Sequence, residues 1–191
     1  MATTKILENI FAGLSCLLVA LVCSGCVTYF GYDGPYEGRV IDQDTRQPIS
    51  GAVVHGKWIE SHLSPGGATS TYYDSREVLT DIDGNFSIQG QGILIFSNVD
   101  EMMVTIFKAG YKQKGLNPWS GLKDSRYNKE TEWDGEKAIF KLKKLSLEER
   151  KKRSIDYPGD EPPSASKLLR LESNKENREL GRSEQTIYNQ E

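Results

Sequence analysis

Between residues 36 and 145 the chain never holds a helical hydrophobic period. Short apolar runs of strand length alternate with turns marked by Gly, Asp and Pro, and this cadence restricts the fold to a β architecture. Tyr36-Glu-Gly-Arg-Val-Ile-Asp42 reads as a first strand, closed by a polar stretch and the turn residue Pro48. Residues 51–59 read as a second, with Val53, His55 and Lys57 on one face and Val54, Gly56 and Trp58 on the other. Residues 80–88 form a tight turn between strand ends, and Asp83-Gly84 is the strongest hairpin signal in the chain. Residues 93–96, 102–108 and 137–142 supply further β-rich runs. The expectation is an all-β domain over residues 36–145, an antiparallel Greek-key β-sandwich of about seven strands.

Composition changes after residue 145, where Glu, Lys, Arg, Ser and Asn take over. In this charged segment, residues 146–191, Ser146 followed by Glu149 has the spacing of a capping box, so a helix is expected to start there. Prolines and acids break it over residues 155–163. Residues 165–180 can form a second helix, with Leu168, Leu169 and Leu171 as a narrow apolar stripe. Such a stripe buries little against the entropy of ordering, so a solvated, partly helical or disordered tail is expected rather than a docked one. The basic cluster at residues 150–153 is tempered by Glu148 and Glu149, which weakens binding to a membrane surface by charge alone.

The first 25 residues read as a signal peptide. Lys5 supplies a thin basic region, residues 10–23 are apolar apart from Gly13 and Ser15, and Ser24 and Gly25 are small residues ahead of Cys26. The run is short for a membrane span, which needs roughly 20 residues. Because it can be stretched through Val27 and Phe30, an uncleaved anchor is the alternative. Leu21-Val-Cys-Ser-Gly-Cys26 resembles a bacterial lipobox, with Cys23 standing where lipoproteins usually have Leu. The resemblance implies that Cys26 carries a diacylglycerol thioether and an acylated amine, with fatty chains such as palmitate holding the protein at a membrane. Val27, in place of the Asp that often signals inner-membrane retention, leans the expectation toward the outer membrane of the cell envelope. All three cysteines, Cys16, Cys23 and Cys26, lie in this segment, so the processed chain has neither a disulfide nor a thiolate metal site. Residues 26–35, with two glycines and a proline, read as a short lipidated tether.

Within the β region an ordered set of motifs carries a second resemblance. Gly38-Arg-Val40, Asp42, Thr45, Pro48-Ile49, Gly51-Ala52, Val54, Thr80-Asp81, Asp83-Gly84-Asn85-Phe86 and Ala109-Gly110-Tyr111 are together similar to the carboxypeptidase regulatory-like family, a small transthyretin-like β-sandwich. The resemblance covers about residues 36–145 and implies a noncatalytic module. In that family the module typically accompanies a catalytic or transport domain.

Two stretches exceed the compact family pattern. Residues 57–79 contain the flexible-looking Ser64-Pro-Gly-Gly-Ala-Thr-Ser-Thr71, and residues 117–136 form a second excursion. Aromatic residues in or beside them, Trp58, Tyr72, Tyr73, Trp119, Tyr127 and Trp133, either cap the ends of the sandwich or offer flat faces to a sugar or peptide. Trp119, Tyr127 and Trp133 are the candidate ligand-binding set. His55, Glu60 and His62 can be written as a zinc trio, but strand alternation turns His55 away from the other two. Asp81, Asp83 and Asn85 have part of a calcium-loop spacing without its distal glutamate, so a hairpin role is expected. Absence of a Gly-x-Ser-x-Gly elbow leaves no marked nucleophile. A net charge of −3 without a large basic field argues against nucleic acid as a partner. The function expected is a noncatalytic, lipid-anchored structural or binding module for an envelope protein or glycan, without cofactor or metal. The alternative is a metal-dependent hydrolase or accessory enzyme using the region from His55 to His62.

Overall fold

Strand dominates helix in the computed structural model, which describes residues 30–95, 97–100, 102–116, 131–157 and 159–185. The strands are β1 (Phe30–Asp33), β2 (Tyr36–Asp42), β3 (Val53–Ser64), β4 (Gly67–Leu79), β5 (Asn85–Ile88), β6 (Gly92–Ile95), β7 (Met103–Phe107), β8 (Lys114–Leu116), β9 (Glu132–Asp134) and β10 (Lys137–Leu142). Helix α1 (Leu147–Lys152), a 3-10 turn (Pro163–Ser166) and helix α2 (Lys167–Glu179) follow. One sheet has the order β5-β2-β10-β9, another β4-β3-β7-β8, and β1 pairs with β6 as a separate two-stranded sheet.

One apolar cluster draws on both four-stranded sheets, with Val40, Phe86, Ala138, Phe140 and Leu142 from the first and Val54, Trp58, Val104 and Ile106 from the second. At Gly38, paired with Phe86, a Cβ would lie 2.5 Å from the Phe86 ring, so the aromatic packs over bare backbone. Asp33 ties the small sheet to this core. Its buried carboxylate accepts Trp58 Nε1–H at 2.9 Å, the Gln91 amide at 2.7 Å and the Tyr36 hydroxyl.

Several expectations need correction. The sheets are not wholly antiparallel, because β10 runs parallel to β2 from Ala138↔Gly38 to Leu142↔Asp42. A parallel neighbour requires a long crossover, here most of the domain, which local turn signals do not reveal. Asp83-Gly84 does turn the chain tightly, with Gly84 at φ 77° and Asp81 Oδ1 accepting the amides of Asp83 and Asn85. It does not make a hairpin: β4 pairs with β3 and β5 with β2, so the turn passes the chain from one sheet to the other. Nor is the stretch after Lys57 a flexible excursion. β3 and β4 form one long hairpin from Val53↔Leu79 to Ser64↔Gly67 around the two-residue loop Pro65-Gly66, bulged beside Trp58.

The short tether also shrinks, since residues 30–33 are strand β1. Strand number rises to ten among the described residues, because β1, β8 and β9 are only three or four residues long and carry no periodic signal. Helix α1 opens with the expected box, Ser146 capping Glu149 and Glu149 reaching back to the Ser146 amide at 2.9 Å. The C-terminal segment, expected to be solvated or partly disordered, docks instead. Leu169 is fully buried with Val53 and Phe107 on the outer face of β3 and β7.

Candidate functional site

The most chemically unusual place in the described residues is the seam between that outer face and the C-terminal segment. Strand alternation sends Val54 and Trp58 into the core and leaves Val53, His55 and Lys57 facing outward, where the segment covers them. His55 Nε2 lies 2.9 Å from Glu161 Oε1, and both side chains are almost completely buried. Burial, helped by the Lys57 charge, lowers the imidazole to about 4. Burial raises the Glu161 carboxyl to about 7. Both shifts disfavour the charged forms, so burial favours a neutral hydrogen bond from the carboxyl to the imidazole over an ion pair.

Glu77 sits opposite His55 on β4, and its two oxygens accept the amides of Leu168 and Leu169 at 2.7 and 2.9 Å. A carboxylate at this end of α2 satisfies amides that lack helical partners. Burial nevertheless raises the Glu77 carboxyl above its ordinary range, outweighing those two bonds and the Arg170 charge. Lys57 completes the seam by donating to Asp160 at 2.7 Å.

A second node lies at the other end of α2. Burial pulls the Glu176 carboxyl upward, but hydrogen bonds from Arg150 and Arg153, with the Gly110 amide, outweigh it and hold it at about 2. Two members of the basic cluster are thus turned inward onto α2. Arg153 also stacks over Phe107, 5.0 Å from its ring centre.

The arrangement can hold protons and fasten a segment. It presents no solvent-facing acid, base or nucleophile at the His55–Glu161 pair, since His55 is 1% exposed. The proposed trio is not assembled: His62 Nε2 approaches Glu60 at 3.6 Å on the solvated part of the β3–β4 arm, while His55 is engaged by Glu161. No three His, Cys, Asp or Glu side chains among the described residues form a metal-binding group. Asp81, Asp83 and Asn85 are drawn into the Asp81-centred turn. Of the candidate ligand set, Trp133 stands on edge strand β9 opposite Ala138 and is 43% exposed. Trp119, Tyr127 and Cys26, the expected lipid-attachment residue, lie outside the described residues. No helix among the described residues is long and apolar enough to cross a membrane.

Sequence reasoning missed Glu161, Glu77, Asp33 and Glu176. Each is a carboxylate whose burial depends on partners far along the chain, 106 residues away for Glu161 and His55. One usable signal was Ala52-Val53-Val54, since an unbroken apolar run announces a strand covered on both faces. No family model matches the chain, and neither a curated protein nor a solved structure matches it.

Proposed function

We propose that this chain is a lipid-anchored protein of the bacterial envelope, placed at the outer membrane, whose β domain is a noncatalytic structural or binding module for an envelope protein or glycan. The observation that carries this reading is Cys26, which ends an apolar run behind Ser24 and Gly25 and stands four residues ahead of the first strand. The domain is read as a Greek-key β-sandwich of the carboxypeptidase regulatory-like kind. Support comes from a core shared by two four-stranded sheets and from the non-sequential strand orders within them. The turn residues of the resemblance have matching structural work: Thr80 Oγ1 donates to the Ile49 carbonyl and accepts the Ala52 amide, and Asp42 accepts the amides of Asp44 and Thr45. Trp133, on an exposed edge, is the described member of the ligand-binding set.

The test is expression of the full chain in a bacterial host fed labelled palmitate. Wild-type protein is expected to carry label and to fractionate with outer membranes, and Cys26→Ser to lose the label. Unlabelled wild-type protein, or label that persists in Cys26→Ser, would sink the reading.

A further inference from the structure

Gly92-Ile-Leu-Ile-Phe96 is an unbroken apolar run, the pattern of a strand buried on both faces. Within the described residues only one face of β6 is covered. Leu94 turns into the core, 8% exposed, whereas Ile93 and Ile95 are 66% and 54% exposed. Pairing with β1 extends the bare face, because Tyr32, 70% exposed, stands directly opposite Ile93. In the backbone register, position 30 pairs with Ile95. The one acidic or basic residue in these two strands, Asp33, is turned inward to Trp58 and Gln91. A Tyr beside two Ile, without outward charge, suits neither water nor an ordinary polar rim.

We infer that this face of the β1–β6 sheet rests on the lipid bilayer, as a second membrane contact beside the acylated cysteine. The inference rests on the lipid-anchor reading. Cys26 precedes Phe30 by four residues, and an extended chain covers about 14 Å over that distance. The polar layer of one leaflet is roughly 5–7 Å thick, so β1 begins at or just outside the headgroups. A tether this short holds the bare face where apolar side chains enter the interface and a Tyr ring has both an apolar body and a wet end. The docked face then fixes how the rest of the domain is presented, with β1 and β6 toward the lipid.

A photoreactive benzophenone side chain placed at position 93 of the full-length protein, in intact envelopes, tests this directly. A second version at position 95 guards against a local failure to fold, and position 82, on the turn before Gly84 and 81% exposed at Ile82, is the solvent control. Lipid adducts are expected at 93 and 95 and none above background at 82. The intact mass of the same protein reports acylation of Cys26 independently. Acylated protein without a lipid adduct at 93 or 95 overturns the docked face and leaves the anchor standing. Adducts to a second copy, to residues 117–130 or to another protein in place of lipid overturn it as well. Lipid adducts on unacylated protein sustain the docked face while removing the lipobox reading.

Discussion

The two faces of the β4-β3-β7-β8 sheet are covered by different chemistry. Toward the first sheet lies an apolar interior of Trp58, Val54, Ile106 and Phe140. Toward the C-terminal segment lies a small apolar patch, Val53, Phe107 and Leu169, framed by His55–Glu161, by Glu77 at the start of α2 and by Glu176 between two arginines. The first covering derives mainly from area removed from water. The second depends on where protons and charges sit, and its removal leaves buried ionisable groups without partners.

The largest expected effect breaks the inner face. Trp58→Ala, which opens the core and removes one of the three hydrogen bonds to the Asp33 carboxylate, should cost about 3–5 kcal/mol of unfolding free energy, read from denaturant unfolding of the whole protein. Glu176→Ala comes next, at about 3 kcal/mol, because Arg150 and Arg153 lose a shared partner. Hydrogen exchange should then quicken across residues 146–185 while β2, β3 and β10 stay protected. Equal loss of protection in the strands would show that the two coverings unfold as one unit, and the comparison would fail.

A pH series sharpens the distinction further. Glu161 is raised from 4.5 to about 7, so its contribution is full below pH 4.5 and is lost as pH climbs through 7. His55 is lowered from 6.5 to about 4, so its contribution is full above pH 6.5 and is lost as pH falls toward 4. Between about pH 4.5 and 6.5 the two slopes cancel, since the single proton sits on the imidazole in the unfolded chain and on the carboxyl in the folded one. Across that window the pair adds no net slope to docking of the C-terminal segment, measured by exchange of the α2 amides, and the slope that remains is the fall with rising pH set by the raised Glu77 carboxyl. His55→Asn should expose the Glu161 slope, a loss of about 1.4 kcal/mol per unit rise in pH, and Glu161→Gln the opposite slope. A profile unchanged from wild type in both variants would show that the pair contributes nothing to docking. Below pH 4.5 Glu176, held at about 2, should weaken the seam as acid protonates it.

The smallest effect tests the rim. Ser146→Ala removes the cap of α1 and should cost about 1 kcal/mol, seen as faster exchange in α1 alone.

Legibility followed the same division. β2 and β10 could be read because their residues alternate toward the shared core, and the Asp83-Gly84 turn because only glycine suits a positive φ against the Val40 carbonyl. The β3–β4 arm could not, since Thr69, Ser70 and Thr71 are exposed and give no apolar alternation to read. The parallel β2–β10 pairing and the docked tail were hidden for a different reason. Both join residues about a hundred positions apart, and no local pattern marks Glu161 or Glu176 as buried. Of the candidate site, the separation of His55 from Glu60 and His62 followed from strand parity alone, whereas the partner of His55 did not.

Asp33 gives the domain a mechanical character. A pull applied ahead of Phe30 loads the four register pairs of β1 with β6 and then arrives at one carboxylate tied simultaneously to Trp58, Tyr36 and the Gln91 backbone. The pairs can yield one after another, but the three ties share the force. Fuse and stop are therefore neighbours in sequence, and the leading strand can peel under tension while the load is checked at Asp33 before it reaches the interior.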